Sequence, residues 1–401
     1  MDRLEPKGDS KFVTRDRMLL AIFGVALLGF TGFAFYDYFT PEWKYYQRDF
    51  RAVVTETLGP GKADLAPSGL QQVWVKSFDR VDRCTTCHLG IEWKGLERVD
   101  NPYRSHPKEI LAKHPIQKFG CTSCHGGQGY AVKAEDAHGL VKFWEEPMLG
   151  NELEDFYVMS DKKALMQINC NACHRYESET KGATLINHAK KLVGEKGCRA
   201  CHAINGRGGT RAPDLTFVGG KSGEQYDYSR IKGLATVFSW HVAHFKNPKE
   251  TVPETIMPNF AFSTRDAQSL TLLALSWKKS ELPVEYLPGV HLKDVPTPAE
   301  LEKEKQMREG PGSFFVEKTC FVCHSVSSLG IDAASQIGPD LTFAVEDVQK
   351  RFGRTLDDFL HAPTGTMSVV LSKQIILTEE ELNEAIRLLR LAYEQRPAAK
   401  E

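Results

Sequence analysis

A chain of 401 residues has room for about two to four domains and a sizeable core. Its 51 basic and 52 acidic residues leave a formal net charge of −1. That balance supplies no global positive field to attract nucleic acid, so neither DNA nor RNA is an expected partner.

Residues 1–40 read as a cytoplasmic N-terminus followed by an anchor. A charged start with Arg3, Lys7, Lys11, Arg15 and Arg17 precedes an uncharged run, Met18 to Tyr36. At ~1.5 Å per residue this run spans close to the ~30 Å hydrocarbon core of a lipid bilayer, which predicts one transmembrane helix. A cleaved signal peptide is the alternative, but the run is long for one and no small-x-small site follows it. The basic start favours a cytoplasmic N-terminus, although Lys44, Arg48 and Arg51 on the far side reduce the asymmetry. Phe33, Phe35, Tyr36, Tyr38 and Phe39 crowd the outer end, where aromatic rings suit the headgroup layer. Residues 41–79 form a membrane-proximal linker with an amphipathic stretch, Trp43 to Phe50, and a Gly/Pro break around Gly59-Pro60-Gly61. A helix lying near the membrane or a partner and an ordinary solvated helix with one packed side both fit it.

From Cys84 onward one pattern recurs. C-x-x-C-H occurs at Cys84/Cys87/His88, Cys121/Cys124/His125, Cys170/Cys173/His174, Cys198/Cys201/His202 and Cys320/Cys323/His324, and these copies use all ten cysteines. This is the attachment signature of c-type haem: two thiols form thioethers with the vinyl groups, and the adjacent histidine is the proximal iron ligand. Zinc would need four ligands per site and gives no reason for a histidine after every second cysteine; a thioredoxin-like redox pair would not be repeated five times. Five covalently attached haem c groups are expected. Bacteria form these thioethers on the far side of the energy-coupling membrane. The chain is therefore expected in the bacterial inner (cytoplasmic) membrane, single-pass, with its haem domains on the periplasmic side.

Residues 80–185 hold three of the motifs and are expected to form a loop-rich trihaem module whose haems share walls. Gly126, Gly127 and Gly129 are expected to let backbone approach a porphyrin face. Outside the motifs eight histidines remain of thirteen, and the second axial ligands are sought among these and the methionines. His106 or His114 is assigned to the first haem, His138 to the second and His188 to the third, although spacing alone does not fix which histidine meets which iron.

Residues 186–280 read as a single-haem domain. A helical run leads into Cys198, Met257 lies far enough beyond His202 to reach the opposite haem face, and Ser263 with Asp266 suits the N-cap of a helix from about Ala267 to Trp277. Residues 281–310 are a Pro-dotted, charged linker in which His291 is expected at the surface. Residues 311–401 repeat the previous layout: the fifth motif, a second Pro-Asp-Leu-Thr-Phe, Met367 as distal ligand with His361 as a rival, and a helix from Thr378 to Tyr393 opened by a Thr378/Glu381 capping box.

The last two segments resemble class I cytochrome c domains, in which a helix enters C-x-x-C-H, a proline carbonyl receives the proximal imidazole N–H, a methionine supplies the sixth ligand and a helix closes the fold. The resemblance implies that role for Pro213 and Pro339 toward His202 and His324, where such a bond fixes ring orientation and tunes the iron. The stretch from His106 to Gly139, with two His-Pro pairs, Cys-x-x-Cys-His-Gly-Gly-Gln-Gly and Ala-His-Gly, is similar to multihaem cytochrome c subunits of bacterial menaquinol-oxidising complexes built on cytochrome b and a Rieske protein. It implies an electron-transfer subunit with cytochrome b and Rieske-type or other integral quinol-oxidising partners and a periplasmic electron acceptor. The rival readings are a quinol dehydrogenase in its own right and a multihaem oxidoreductase with one open iron. The expected fold is mainly α: a transmembrane helix, the trihaem module and two class I cytochrome c-like domains.

Overall fold

The computed structural model describes residues 10–139, 147–149, 154–157, 159, 161–279, 282–290, 298–335 and 337–397; the expectation for His291 lies outside them. The described elements are mainly helical, and the two sheets among them are two-stranded antiparallel pairs. The chain divides into two compact units, Met1–Met148 and Leu149–Glu401.

In the first unit, helix α1 (Ser10–Phe39) is 30 residues long, about 45 Å at ~1.5 Å per residue. Its side chains from Thr14 to Phe39 are exposed, and it is long and apolar enough to cross a membrane. Pro41, which lacks an amide hydrogen and clashes with the preceding turn, separates it from α2 (Trp43–Leu58). Helix α2 is amphipathic and its apolar side is used within the unit. Phe50 and Val54 are fully buried with Leu89 and Leu96, and Phe50 meets Trp93 edge-on at 5.3 Å. Gln47 locks this packing: its side chain donates to Gly69 O at 2.7 Å and Thr86 O at 3.2 Å and accepts from Gly69 N at 2.9 Å. Of the two expectations for this stretch, the packed helix matches. Strands β1 (Val73–Val75) and β2 (Arg80–Asp82) then pair with Val73 opposite Asp82, which delivers the chain to the first motif.

In the second unit, α3 (Lys162–Cys173), α4 (Thr184–Glu195), α5 (Val237–Lys246) and α6 (Thr264–Ser276) enclose a cluster with Leu165, Ile168, Ile186, Phe238, Leu272 and Leu273 at its centre. A second cluster holds Phe315, Val326 and Ile331 under α7 (Ala344–Phe352), α8 (Leu356–His361) and α9 (Glu379–Glu394). Phe260 packs against both clusters. The expected capping boxes are present, Ser263 with Asp266 at α6 and Thr378 with Glu381 at α9.

The division at residue 148 differs from the expected trihaem module over 80–185. Helix α3, which ends in the third motif, buries Leu165 and Ile168 against α4 and α6 residues, so the third motif folds with the fourth and fifth.

Candidate haem centres

Each motif closes the same backbone turn. The histidine N–H donates to the carbonyl of the first cysteine at 2.9 Å (His88 to Cys84), 3.0 Å (His125 to Cys121), 3.0 Å (His174 to Cys170), 3.1 Å (His202 to Cys198) and 3.0 Å (His324 to Cys320). The same carbonyl takes the N–H of the second cysteine at 3.2 Å for Cys87, 3.1 Å for Cys124, 3.3 Å for Cys201 and 3.2 Å for Cys323, while Cys173 ends helix α3. Cys124, like Cys173, differs from the other three in its local backbone. It lies in a single α-helical turn, Thr122–His125, where Cys84–Thr86, Cys198–Ala200 and Cys320–Val322 form tighter 3-10 turns that stop short of the second cysteine. The difference leaves the spacing of the motif unchanged. Five repeats of one turn hold two thiols and one imidazole in a constant relation, which is what covalent haem attachment requires. Among the described residues, which include all ten cysteines, no disulfide joins any two of them. The residues fit haem c.

In the first unit the ring centres of His88 and His138 are 6.3 Å apart and those of His106 and His125 are 6.2 Å apart. Two imidazoles bonded to one metal at roughly 2 Å each have ring centres about 6 Å apart. The fold thus brings His138 to the first motif and His106 to the second, the reverse of the expected pairing. The reason lies in the chain after the second motif. Arg83 N donates to Gly129 O at 2.8 Å, and Gln128 N to Ala137 O at 2.8 Å, folding residues 126–138 back over the first motif. Gly129 belongs to this fold-back: a Cβ there would lie 2.3 Å from Val81 O and from Asp82 Oδ1. The close approach it permits in this structure is chain to chain. His114 belongs to neither pair. Its ring lies 5.1 Å from Phe119, with Nδ1 3.3 Å from Ile110 O.

Burial, then the neighbouring His138 and His125, pushes His88 down to about 4, and burial followed by His106 lowers His125. Both shifts favour the neutral ring, the form that binds iron. Cys121 is raised, first by its side-chain contact with Cys84 and then by burial, with Cys124 adding the smallest push. The first cysteines of the two motifs touch. Beside them Asp82, only 1 % exposed, accepts from Cys121 N at 2.5 Å and Thr122 N at 3.2 Å through Oδ2, while Oδ1 has no hydrogen-bond partner.

At the third motif His174 Nδ1 lies 2.6 Å from Glu177 Oε2. Lys190 Nζ donates to the main-chain oxygens of His174 at 2.9 Å and Glu177 at 2.7 Å, and burial, opposed by Glu177, brings it down to about 8. His188, the expected distal ligand here, turns its Nε2 to Asp266 Oδ1 at 2.6 Å. Helix α4 packs along α6, whose capping-box residue Asp266 meets the ring.

The fourth and fifth motifs share a second pattern. His202 Nδ1 donates to Pro213 O at 2.7 Å and His324 Nδ1 to Pro339 O at 2.9 Å, as the class I resemblance implies. Burial lowers both histidines, the proline carbonyls pulling the other way. Gly338 lets the ring in, since a Cβ there would lie 2.4 Å from His324 Cε1 and Nδ1. Met367 packs against the cluster that also takes in Cys320, Cys323 and Leu341. Its rival His361 has both nitrogens engaged, Nδ1 with Asp357 O at 2.8 Å and Nε2 with Glu379 Oε1 at 3.0 Å. Met257 is half-buried, its amide held by Thr255 Oγ1 at 3.2 Å. His244, which sequence reading left unassigned, stacks on Trp240 at 4.8 Å and holds Thr251 Oγ1 at 2.7 Å. Burial and the nearby His202 bring it down to about 4. Ala200 and Cys201 pack against the fifth motif's core, and Arg211 donates to Val316 O at 2.7 Å, so these two centres adjoin.

Residues 186–273 match the family model described as cytochrome c, and residues 132–203 match the one described as cytochrome c554 and c-prime. The chain is a c-type cytochrome. The first match contains the fourth motif with Pro213 and Met257, and the second contains the third motif and reaches through the fourth. No curated protein and no solved structure matches the chain. This cytochrome is thus an electron-transfer protein with covalently bound haem c.

Proposed function

We propose that this cytochrome carries five haems and takes electrons from a membrane quinol-oxidising complex of the cytochrome b/Rieske type to a periplasmic acceptor. The observation that carries the reading is the pairing of His88 with His138 and His106 with His125 at 6.3 and 6.2 Å, because irons closed on both faces exchange electrons without binding substrate. His138 and His106 close the first two centres, Met257 the fourth and Met367 the fifth. A neutral thioether favours ferrous iron more than a second imidazole does, so the methionine centres sit higher in potential. Electrons therefore run from the first unit to the second. Helix α1 anchors the chain in the bacterial inner membrane with the haem-bearing units on the periplasmic side. Haem content by pyridine haemochrome, a potentiometric titration and co-purification with a cytochrome b subunit test the reading. Five haems per chain with the methionine centres uppermost are expected; fewer haems, or methionine centres below the bis-histidine ones, would overturn it.

A second reading applies to the third centre alone. With His188 Nε2 directed at Asp266, its iron keeps an open sixth position and binds a small diatomic ligand. Carbon monoxide binding by one haem of the reduced protein is expected on this reading, and its absence counts against it.

A further inference from the structure

We propose that Glu177 sets the third centre to the lowest potential of the three in the second unit, by drawing the Nδ1 proton of its proximal histidine. The inference rests on the reading of His174 as the proximal ligand of a covalently attached haem. The three proximal imidazoles of this unit differ in what Nδ1 meets: a carboxylate oxygen at 2.6 Å for His174, and peptide carbonyls at 2.7 Å for His202 and 2.9 Å for His324. A charged acceptor makes a stronger hydrogen bond than a neutral one. The more the Nδ1 proton is drawn away, the more electron density the ring gives the iron through Nε2, which favours the ferric state.

The surroundings keep Glu177 in place. Its amide donates to His174 O at 3.3 Å, so the carboxylate returns to the ring within a single turn after α3. Lys190 fastens that turn by donating to the main-chain oxygens of both residues, so its ammonium holds the backbone and leaves the carboxylate to the imidazole. Gly289 closes over the outside: a Cβ there would lie 3.1 Å from Glu177 Cγ. The carboxylate is two-thirds shielded, with 32 % of the side chain exposed, which limits the competition from water.

The inference assigns a place in the electron path. Within the second unit charge enters at the third centre and leaves it for the fourth or fifth, because a step from the carboxylate-supported histidine to a carbonyl-supported one favours the ferrous state of the acceptor. In each such step one electron leaves a ferrous iron and reduces a ferric one, with no proton required.

The test is a potentiometric titration of the full-length protein and its Glu177→Gln and Glu177→Asp variants, followed optically and by EPR. A His174→Ala variant identifies which midpoint belongs to the third centre. Glu177→Gln is expected to raise that one midpoint so that the ferrous-to-ferric ratio at fixed potential rises about tenfold, 59 mV for a one-electron couple. Glu177→Asp, which keeps the charge, is expected to stay closer to wild type; if the glutamine variant fails to fold, the order of the three native midpoints carries the test. A third-centre midpoint unmoved in both variants, or one above the fourth and fifth in the native protein, would overturn the proposal while leaving the haem assignment standing. If instead His174→Ala leaves all haem signals unchanged, the reading of His174 as ligand has failed, and the proposal with it.

Discussion

Asp82 accepts the amide hydrogen of Cys121 at 2.5 Å through a carboxylate that is 1 % exposed. One residue from the end of β2 thereby holds the start of the second motif against the first, where Cys84 and Cys121 touch. The same oxygen also takes Thr122 N at 3.2 Å, so the carboxylate caps the turn on which Cys121 and Cys124 are displayed. Replacing Asp82 by Ala is expected to leave two buried N–H donors unpaired and to destabilise the first unit by about 2 kcal/mol. Asp82→Asn keeps an acceptor and is expected to lose less. Denaturant unfolding of the purified protein, with haem content measured alongside, checks both.

The two imidazole pairs make separate spectroscopic predictions. His138→Ala and His106→Ala are each expected to convert one haem from low to high spin, whereas His114→Ala leaves the spin state of every haem unchanged. The order is checked by removing the first attachment site. In a Cys84→Ser, Cys87→Ser background, His138→Ala has no further effect on EPR and His106→Ala still does. The opposite outcome would restore the pairing expected from chain order.

Gly338 lies against the His324 ring, with room for hydrogen but none for a methyl group. Gly338→Ala is expected to displace the proximal ring of the fifth centre and cost about 1–3 kcal/mol, as overpacking does. Loss of the absorption band of methionine-ligated ferric haem from one of two centres, together with a lower unfolding midpoint, is the measurement. The equivalent residue in the fourth centre is Ala212, and Ala212→Gly is expected to leave that band intact.

His361 tests both ligation and linkage. Its pKa is raised, first by the bond to Asp357 O and then by Glu379. A histidine whose folded pKa lies above its unfolded value adds stability that is fully present below the unfolded pKa, near 6.5, and is lost as pH rises through the folded one. The stability difference between wild type and His361→Asn is therefore expected in full below about pH 6.5 and is expected to be lost as pH rises through the raised folded pKa. On the proposed reading, in which Met367 supplies the ligand, the spectrum of the fifth centre should be the same in both proteins; a spectral change on substitution would make His361 the ligand instead.

Helix α1 supplies no residue to the buried clusters of the described residues, and every side chain from Thr14 to Phe39 is exposed. A version of the mature protein from which residues 1–40 have been cleaved is expected to leave the membrane fraction with its haem spectrum and unfolding midpoint unchanged. Retention in the membrane after cleavage would place the attachment elsewhere.

What could be read before folding was chemistry confined to a few neighbouring residues. The thiols and proximal histidine of each motif lie within five positions, and the capping boxes Ser263/Asp266 and Thr378/Glu381 within four, so chain order carries them. The bonds from His202 and His324 to Pro213 and Pro339 followed from a resemblance that specifies the proline. Long-range pairing was hidden. His138 follows the second motif in sequence, yet the backbone bonds at Gly129 and Ala137 return it to the first. His188 was assigned to an iron because it follows the third motif, whereas helix packing turns it to Asp266, 78 positions away. Asp82 had no local signature either, since a carboxylate between Val81 and Arg83 reads as a solvated side chain until β1 and the second motif cover it.

Contact between the sulfurs of Cys84 and Cys121 also shapes how the first two centres fill with charge. Haems attached through these two cysteines would lie close together, so an electron placed on one would repel an electron sent to the other. On the proposed reading, in which both sites have two imidazole ligands, they would titrate as an anticooperative pair with two apparent midpoints, neither belonging to one haem alone. Such a pair takes its first electron readily and passes it on before accepting the next, which on the proposed quinol-fed path meters a two-electron donor into single charges.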